Sequence, residues 1–282
     1  MSKTVTLYNG EVTIDFDADK HFYRVVGSQV KPDGVTTILG LVPKYLLPWV
    51  AKVTAEHIRA GLFDRMSRGD SITEMSYLEA LCNEAKKAHT VKRDTAGDIG
   101  TLVHAFAEEV ISQGDEWLSV VAGLFEGMPD EAVPGCAAFI NWWTVVAPGI
   151  SECESERIVF SRRLFYCGTC DLFATINGKP TVVDFKTGSG FYEDQPLQLA
   201  AYALALEEEL GVEINDGWII HLDKQTGKCT PYHVEITKEL KTDWEAVRIA
   251  WRAVKRNQTR HKEIKGNQRC QTSATTIQAE AL

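Results

Sequence analysis

Gly168–Gly188 reads GTCDLFATINGKPTVVDFKTG, and the fold turns on its middle. Asn-Gly flanked by alternating apolar residues is the strongest short hairpin signal, because both central residues of a type I′ turn need φ > 0. In a two-residue hairpin centred on Asn177-Gly178, opposed positions have a constant sum. That register sets Asp171 opposite Asp184, with Cβ atoms ~5 Å apart. Thr169 and Lys186 then lie two residues along on the same face. Pro180 follows the turn closely, and a three-residue loop there would destroy the alignment.

Like charges directly opposite each other destabilise a ladder, so two carboxylates at that distance call for a cation between them. Hard oxygen ligands favour Mg²⁺ or Mn²⁺. A lysine beside them is a point charge that can hold an anion or orient an attacking water, which outlines metal-dependent phosphoryl hydrolysis. On the hairpin alone, an exposed strand pair with a wet polar face fits equally well.

Upstream, short alternating segments at Val5 to Leu7, Val12 to Phe16 and Phe22 to Val26 predict a small β meander. Helical periods follow at Leu46 to Leu62, Met75 to Ala88, Ala96 to Ser112, Glu116 to Phe125 and Glu131 to Val146. The helix carrying GTLVHAFAEE puts Gly100, His104 and Glu108 on one face. Strands are predicted at Glu156 to Phe160, Gly168 to Ile176 and Thr181 to Lys186. A helix over Gln195 to Leu210, with Gln198 and Tyr202 one turn apart, is closed by Gly211. Strands at Trp218 to Leu222 and Thr230 to Ile236 and a helix from Thr237 to Arg256 complete an α/β core behind a helical elaboration. Residues 257–282 are polar with no apolar period and read as a loose tail.

The order of these pieces (His on a helix, G-T-x-D, D-x-K-T, Q-x-x-x-Y) resembles the RecB-type branch of the PD-(D/E)XK nuclease superfamily, and phage recombination exonucleases within it. VTTILGLVPKYLLPWVAK, Val35 to Lys52, resembles the N-terminal region of phage members more weakly. The resemblance implies a restriction-endonuclease-like core, a mixed central sheet flanked by helices, in one elaborated domain over residues 1–256. Its N-terminal part covers about 1–150 and its catalytic core about 151–256. It also implies roles. His104, Asp171 and Asp184, with the main-chain carbonyl of Phe185, match metal ligands for one or two Mg²⁺ or Mn²⁺ ions. Lys186 matches the catalytic lysine. Gln198 and Tyr202 match the motif that supports the site, and Glu156 falls where many members carry a glutamate. Relatives with an iron–sulfur cluster use one early cysteine and a late trio. Here only Cys229 and Cys270 lie late, so neither a cluster nor a structural zinc is expected.

The implied activity is metal-dependent exonucleolytic cleavage from a DNA end, 5′→3′, in phage-type recombination or repair beside a single-strand annealing protein. An endonuclease on the same core, or a catalytically silent DNA-binding protein, are the other readings. Composition bounds all three. The 282 residues are 44% apolar and 24% charged, in the ordinary globular range. No run of about 18 apolar residues suggests a membrane helix, and MSKTVTLYNG carries no secretory leader. Seven scattered cysteines make no disulfide framework, so reduced thiols and a cytoplasmic protein are expected, and the resemblance to phage members implies that the cell is a bacterial host. The net charge of -9 argues against a passive nucleic-acid coat. It hides ten Lys/Arg against four Asp/Glu between Lys238 and Arg269. Arg248, Arg252 and Lys255 share a helical face there and suggest a phosphate-tracking surface.

Overall fold

The computed structural model describes the backbone of residues 2–18, 20, 22–188 and 190–280, and the side chains of these residues through 261, residue 2 excepted. The N-terminal meander is a three-stranded antiparallel sheet of β1 (Ser2–Leu7), β2 (Val12–Asp17) and β3 (Phe22–Val25). A short β4 (Asp33–Gly34) and α1 (Val35–Leu39), which the sequence reading did not separate, lead into the helical region. That region holds α2 (Leu47–Ser67), α3 (Met75–Ser112), α4 (Trp117–Leu124) and α5 (Val133–Val146). The core follows as β5 (Ile150–Ser161), β6 (Tyr166–Ile176), β7 (Lys179–Lys186), α6 (Asp194–Leu210), β8 (Asp216–Leu222), β9 (Cys229–Glu235) and α7 (Lys238–Glu280).

The predicted hairpin forms with its two-residue turn. Ile176 pairs Lys179, and Asn177 and Gly178 take φ of 49° and 78°. Pro180 sits opposite Thr175 without lengthening the loop. Around it the sheet is mixed: β5–β6 and β6–β7 are antiparallel, β7–β8 parallel, β8–β9 antiparallel. The parallel pair needs a crossover, and α6 supplies it.

Helices cover both faces. On one, α1, α6 and α7 pack Leu199, Leu206 and Trp244 against Val182 and Ile219. On the other, α3 and α5 pack Phe106, Val110, Phe139 and Trp143 against Leu172, Val183 and Phe185. Each such side chain taken out of water contributes about 1.5–3 kcal/mol. The N-terminal sheet forms a third apolar layer on Ile158, Phe160 and Cys167, which is what holds it beside the core.

Three expectations change. The two helices expected at 75–88 and 96–112 are one, because Thr90 to Asp94 contain no breaker; residues 91–98 of α3 are exposed all round. Such a helix bridges parts of a molecule rather than packing on one. The last helix runs to Glu280 rather than stopping at Arg256, since the stretch has no proline and one glycine, Gly266; polarity spoke against packing there, not against helix. Finally, one residue of the basic face of α7 is buried and a second is paired within the chain, while Arg252 and Lys255 stay exposed. Arg248 is 2% exposed; it donates to the carbonyls of Leu164 and Phe165 and pairs with Asp33, which also holds Lys255. Those two cations clasp α7 to β4, so two of the three positions of the expected phosphate-tracking face are already paired with Asp33.

Candidate active site

The β6–β7 ladder ends at Leu172–Val183, one position short of the two aspartates. Beyond it the Asp171 carboxylate, through Oδ2, accepts the Phe185 N–H at 2.6 Å, a bond from side chain to strand where a ladder bond would stand. The alternation breaks at the same place: Cys170 packs toward α6 and Leu172 toward α3. On the far side of β6, the register sets Glu156 of β5 opposite Asp171, between the pairs Ser155–Leu172 and Arg157–Cys170. Glu156 has φ of 46° inside a strand. A left-handed non-glycine residue costs of order 1–3 kcal/mol and persists only where its surroundings fix it. Both strands are thus irregular where the acids converge.

α3 brings His104 to this point, with Nδ1 3.6 Å from Asp171 Oδ1. One ligand atom each from His104, Glu156 and Asp171 lie within 4.8 Å of one another. Asp184, 1% exposed, pairs with Lys186 at 2.5 Å. Lys186 in turn donates to Gln198 Oε1 at 3.0 Å, and Gln198 Nε2 donates to the Tyr202 hydroxyl at 2.7 Å. α6 therefore holds the lysine from behind through two side chains one helical turn apart.

Two glycines make the approach possible. A Cβ on Gly100 would lie 2.8 Å from Thr187 Oγ1, and one on Gly168 would lie 2.7 Å from Tyr202 Cε1. The first lets α3 close on the end of β7; the second lets the Tyr202 ring lie on β6.

The electrostatics are those of crowded acids. Burial pushes Glu156 up to about 7, with the Asp171 charge adding to it. Burial likewise lifts Asp184 to about 6, against the pull of Lys186. Burial alone would lower His104, but Asp171, and then Asp184, hold it up at about 9. Asp171 runs the other way: burial would raise it, yet His104 and Lys186 keep it below the ordinary value. A proton on His104 thus supplies the positive charge these acids lack. An imidazole nitrogen with several carboxylate oxygens is a donor set that can hold a divalent metal ion.

All the sequence-selected residues (His104, Glu156, Asp171, Asp184, Phe185, Lys186, Gln198 and Tyr202) line one cavity of about 700 Å³. The sequence reading did not select Phe16 and Tyr23 of the N-terminal sheet, Thr169 or Thr187, which line it too. Their signal was weak: an alternating strand says which residues share a face, not what that face covers.

A family model described as the PD-(D/E)XK nuclease superfamily matches residues 74–275. The chain belongs to the PD-(D/E)XK nuclease superfamily. Its mixed sheet between two helical layers is the restriction-endonuclease-like arrangement expected of this superfamily. PD-(D/E)XK nucleases use divalent metal ions, and their substrate is DNA. No match was found among the curated proteins. Among solved structures, the "Crystal structure of SSO0001" is similar at 13% identity over 54% of this chain and 74% of that one. Its TM-score of 0.28 is too low to carry an argument. Among the described residues no helix of this nuclease is long and apolar enough to cross a membrane.

Proposed function

We propose that this nuclease is a Mg²⁺- or Mn²⁺-dependent exonuclease that trims a DNA strand from its end, 5′→3′, in phage-type recombination beside a single-strand annealing protein. The observation behind the nuclease reading is the convergence of His104, Asp171, Asp184 and Lys186 in one cavity. The choice of a strand end, the polarity, the recombination role and the annealing partner rest on the resemblance of the motif order to phage exonucleases.

His104, Asp171 and Asp184 would hold the cation with the Phe185 carbonyl, and Glu156 would hold or orient a second. When bound, the cation neutralises charge on the phosphoryl oxygens and makes a water more acidic. Lys186 is fixed between Asp184 and Gln198, so its ammonium is preorganised for the negative charge that grows in the transition state. His104 gives up its proton to become a ligand, because only neutral imidazole binds metal. Gln198 and Tyr202 keep the lysine from turning away. No covalent intermediate is needed.

The test is digestion of linear DNA labelled at each end in turn, beside covalently closed circles, with Mg²⁺, Mn²⁺ or EDTA. An exonuclease degrades the linear strands and spares the circles. Nicked circles would make the protein an endonuclease. Cleavage surviving exhaustive chelation would overturn the metal mechanism.

A further inference from the structure

A second cavity, of about 500 Å³, adjoins the first and shares Thr36, Lys186 and Gln198 with it. Lys186 therefore stands on the boundary between them, with Asp184 lining the first and Asp194 the second. Burial would lower the Lys186 pKa, but Asp184 and Asp171, and more weakly Asp194, raise it. The second cavity has a cation of its own. Lys44, between α1 and α2, pairs with Asp194 Oδ2 at 2.9 Å and lies over the Tyr192 ring, 5.6 Å from its centroid. Asp194 is 7% exposed, and its Oδ1 has no hydrogen-bond partner among the described residues. A buried carboxylate so placed keeps its cation, since losing it leaves an uncompensated charge. Asp194 takes one N–H of the ammonium and leaves the others, and 46% of the Lys44 side chain is exposed. Asp194 and Gln195 open α6, so the positive end of that helix's dipole lies at the same cavity. Leu39, Val42 and Leu46 supply an apolar wall.

We infer that the second cavity is a subsite for the nucleotide adjoining the one being cut, with Lys44 holding its phosphate. This rests on the nuclease reading of the first cavity and adds a second point of contact with the strand. A strand carries one phosphate per nucleotide, so a cut phosphate at Lys186 has a neighbour on either side. In one of those directions the space is the second cavity, and the cation waiting there is Lys44. A volume in the range of roughly 300–1,000 Å³ takes a molecule of nucleotide size. The apolar wall gives the sugar and base a surface to lie on. Phosphate contacts set the register of a strand and read no sequence, so the subsite orients any strand alike. Its partner Asp194 fixes the lysine before the strand arrives, which spares part of the ordering cost of binding.

The experiment uses the full chain and short single strands in which one phosphate at a time is replaced by a neutral methylphosphonate, counted from each end. Affinity is read in Ca²⁺, and the cut linkage is mapped in Mn²⁺. In the wild type, neutralising the linkage beside the cut one should weaken binding roughly tenfold, the scale of one hydrogen bond to a charged group. Lys44→Met should abolish the effect at that linkage alone and lower the salt slope by roughly 0.7. Lys44→Arg, which keeps the pair with Asp194, should preserve it. If Lys44→Met unfolds because Asp194 is left unpaired, Lys44→Met with Asp194→Asn removes both charges and should show the same loss. A linkage effect that survives in the folded Met variant, or no sensitive linkage beside the cut one in the wild type, would overturn the subsite. A linkage effect that depends on Lys44 without cleavage of any strand would keep the subsite and remove the exonuclease reading.

Discussion

Glu156 combines a left-handed backbone with a carboxyl that burial and Asp171 lift to about 7. A folded-state carboxyl raised above its unfolded value holds a proton that the unfolded chain has lost. Its cost is absent at low pH and fully present above about 7. Glu156→Gln should therefore raise the melting temperature of the metal-free protein at pH 8 and leave it unchanged at pH 5. An equal effect at both pH values, read by thermal scans in EDTA, would contradict this account of the side chain. Lys186 calls for a different measurement. Held by Asp184 and Gln198, it is proposed to act on charge that grows only in the transition state, and such interactions lower kcat when removed while sparing affinity. Lys186→Ala should bind Mn²⁺ and DNA nearly as before and cleave ~10²-fold slower or worse. Normal turnover at saturation with lost DNA affinity would make the lysine a substrate anchor instead. Lys186→Arg should not restore full activity, because a planar guanidinium does not replace a compact ammonium.

At the level of elements, the β6–β7 hairpin was legible because Asn177-Gly178 dictates both turn type and register. What the sequence did not disclose is that the ladder stops just before the two aspartates, since the left-handed turn of Glu156 and the bond that Asp171 accepts from the Phe185 N–H depend on what α3 and α6 press against the strands. The meander strands were legible as strands, but their packing over the candidate cavity was not, because Phe16 and Tyr23 look like any alternating apolar pair. The continuity of α3 was missed because polar residues 91–98 weaken an amphipathic period without breaking a helix. Two contacts between elements can be tested directly. Gly168→Ala would drive a Cβ to 2.7 Å from the Tyr202 ring and 3.0 Å from Val35, an overpacking worth about 1–3 kcal/mol. Because Tyr202 holds Gln198 and Gln198 holds Lys186, activity should fall further than urea stability. Loss of stability alone would show that the relay does not position the lysine. At the other end of the core, Arg248→Ala leaves Asp33 paired with Lys255 but takes the donor from the Leu164 and Phe165 carbonyls, and should cost about 1–3 kcal/mol. The salt dependence of DNA binding should not change, and a flattened slope would restore a phosphate-contacting role to this face.

Across the whole molecule, the site groups bend the stability curve in one direction. Asp184 and Glu156, raised to about 6 and about 7, and His104, raised to about 9, all bind more protons folded than unfolded between about pH 4 and 9. Stability of the metal-free protein from these groups therefore falls as pH rises through that window. Asp171, held below its ordinary value, adds stability that is lost only in acid. A cation binds the deprotonated set, so its affinity climbs as the protons leave. The melting-temperature gain from Mn²⁺ over EDTA should grow steadily from pH 5 to pH 9, and a gain independent of pH would mean that the metal does not sit among these residues. Charge arithmetic reached the whole-molecule scale less well. The surplus of Lys and Arg near the C-terminus was visible in the sequence, but two of those cations are spent on Asp33.

The wet stretch of α3 between residues 91 and 98 separates two halves that do unrelated things. Below it the helix is buried against the sheet and carries His104; above it α2 packs on α3 and on no other element to a comparable degree. A helix turns about 100° per residue. One residue inserted here would swing the outer hairpin like a vane around its mast while His104 kept its place, and seven would return it to within about 20° of its starting azimuth. The outer hairpin's direction is thus a discrete dial set by chain length, adjustable without touching a side chain of the candidate site. A series of one- to seven-residue insertions should leave Mn²⁺ affinity flat while cleavage of long strands rises and falls with the phase of the turn.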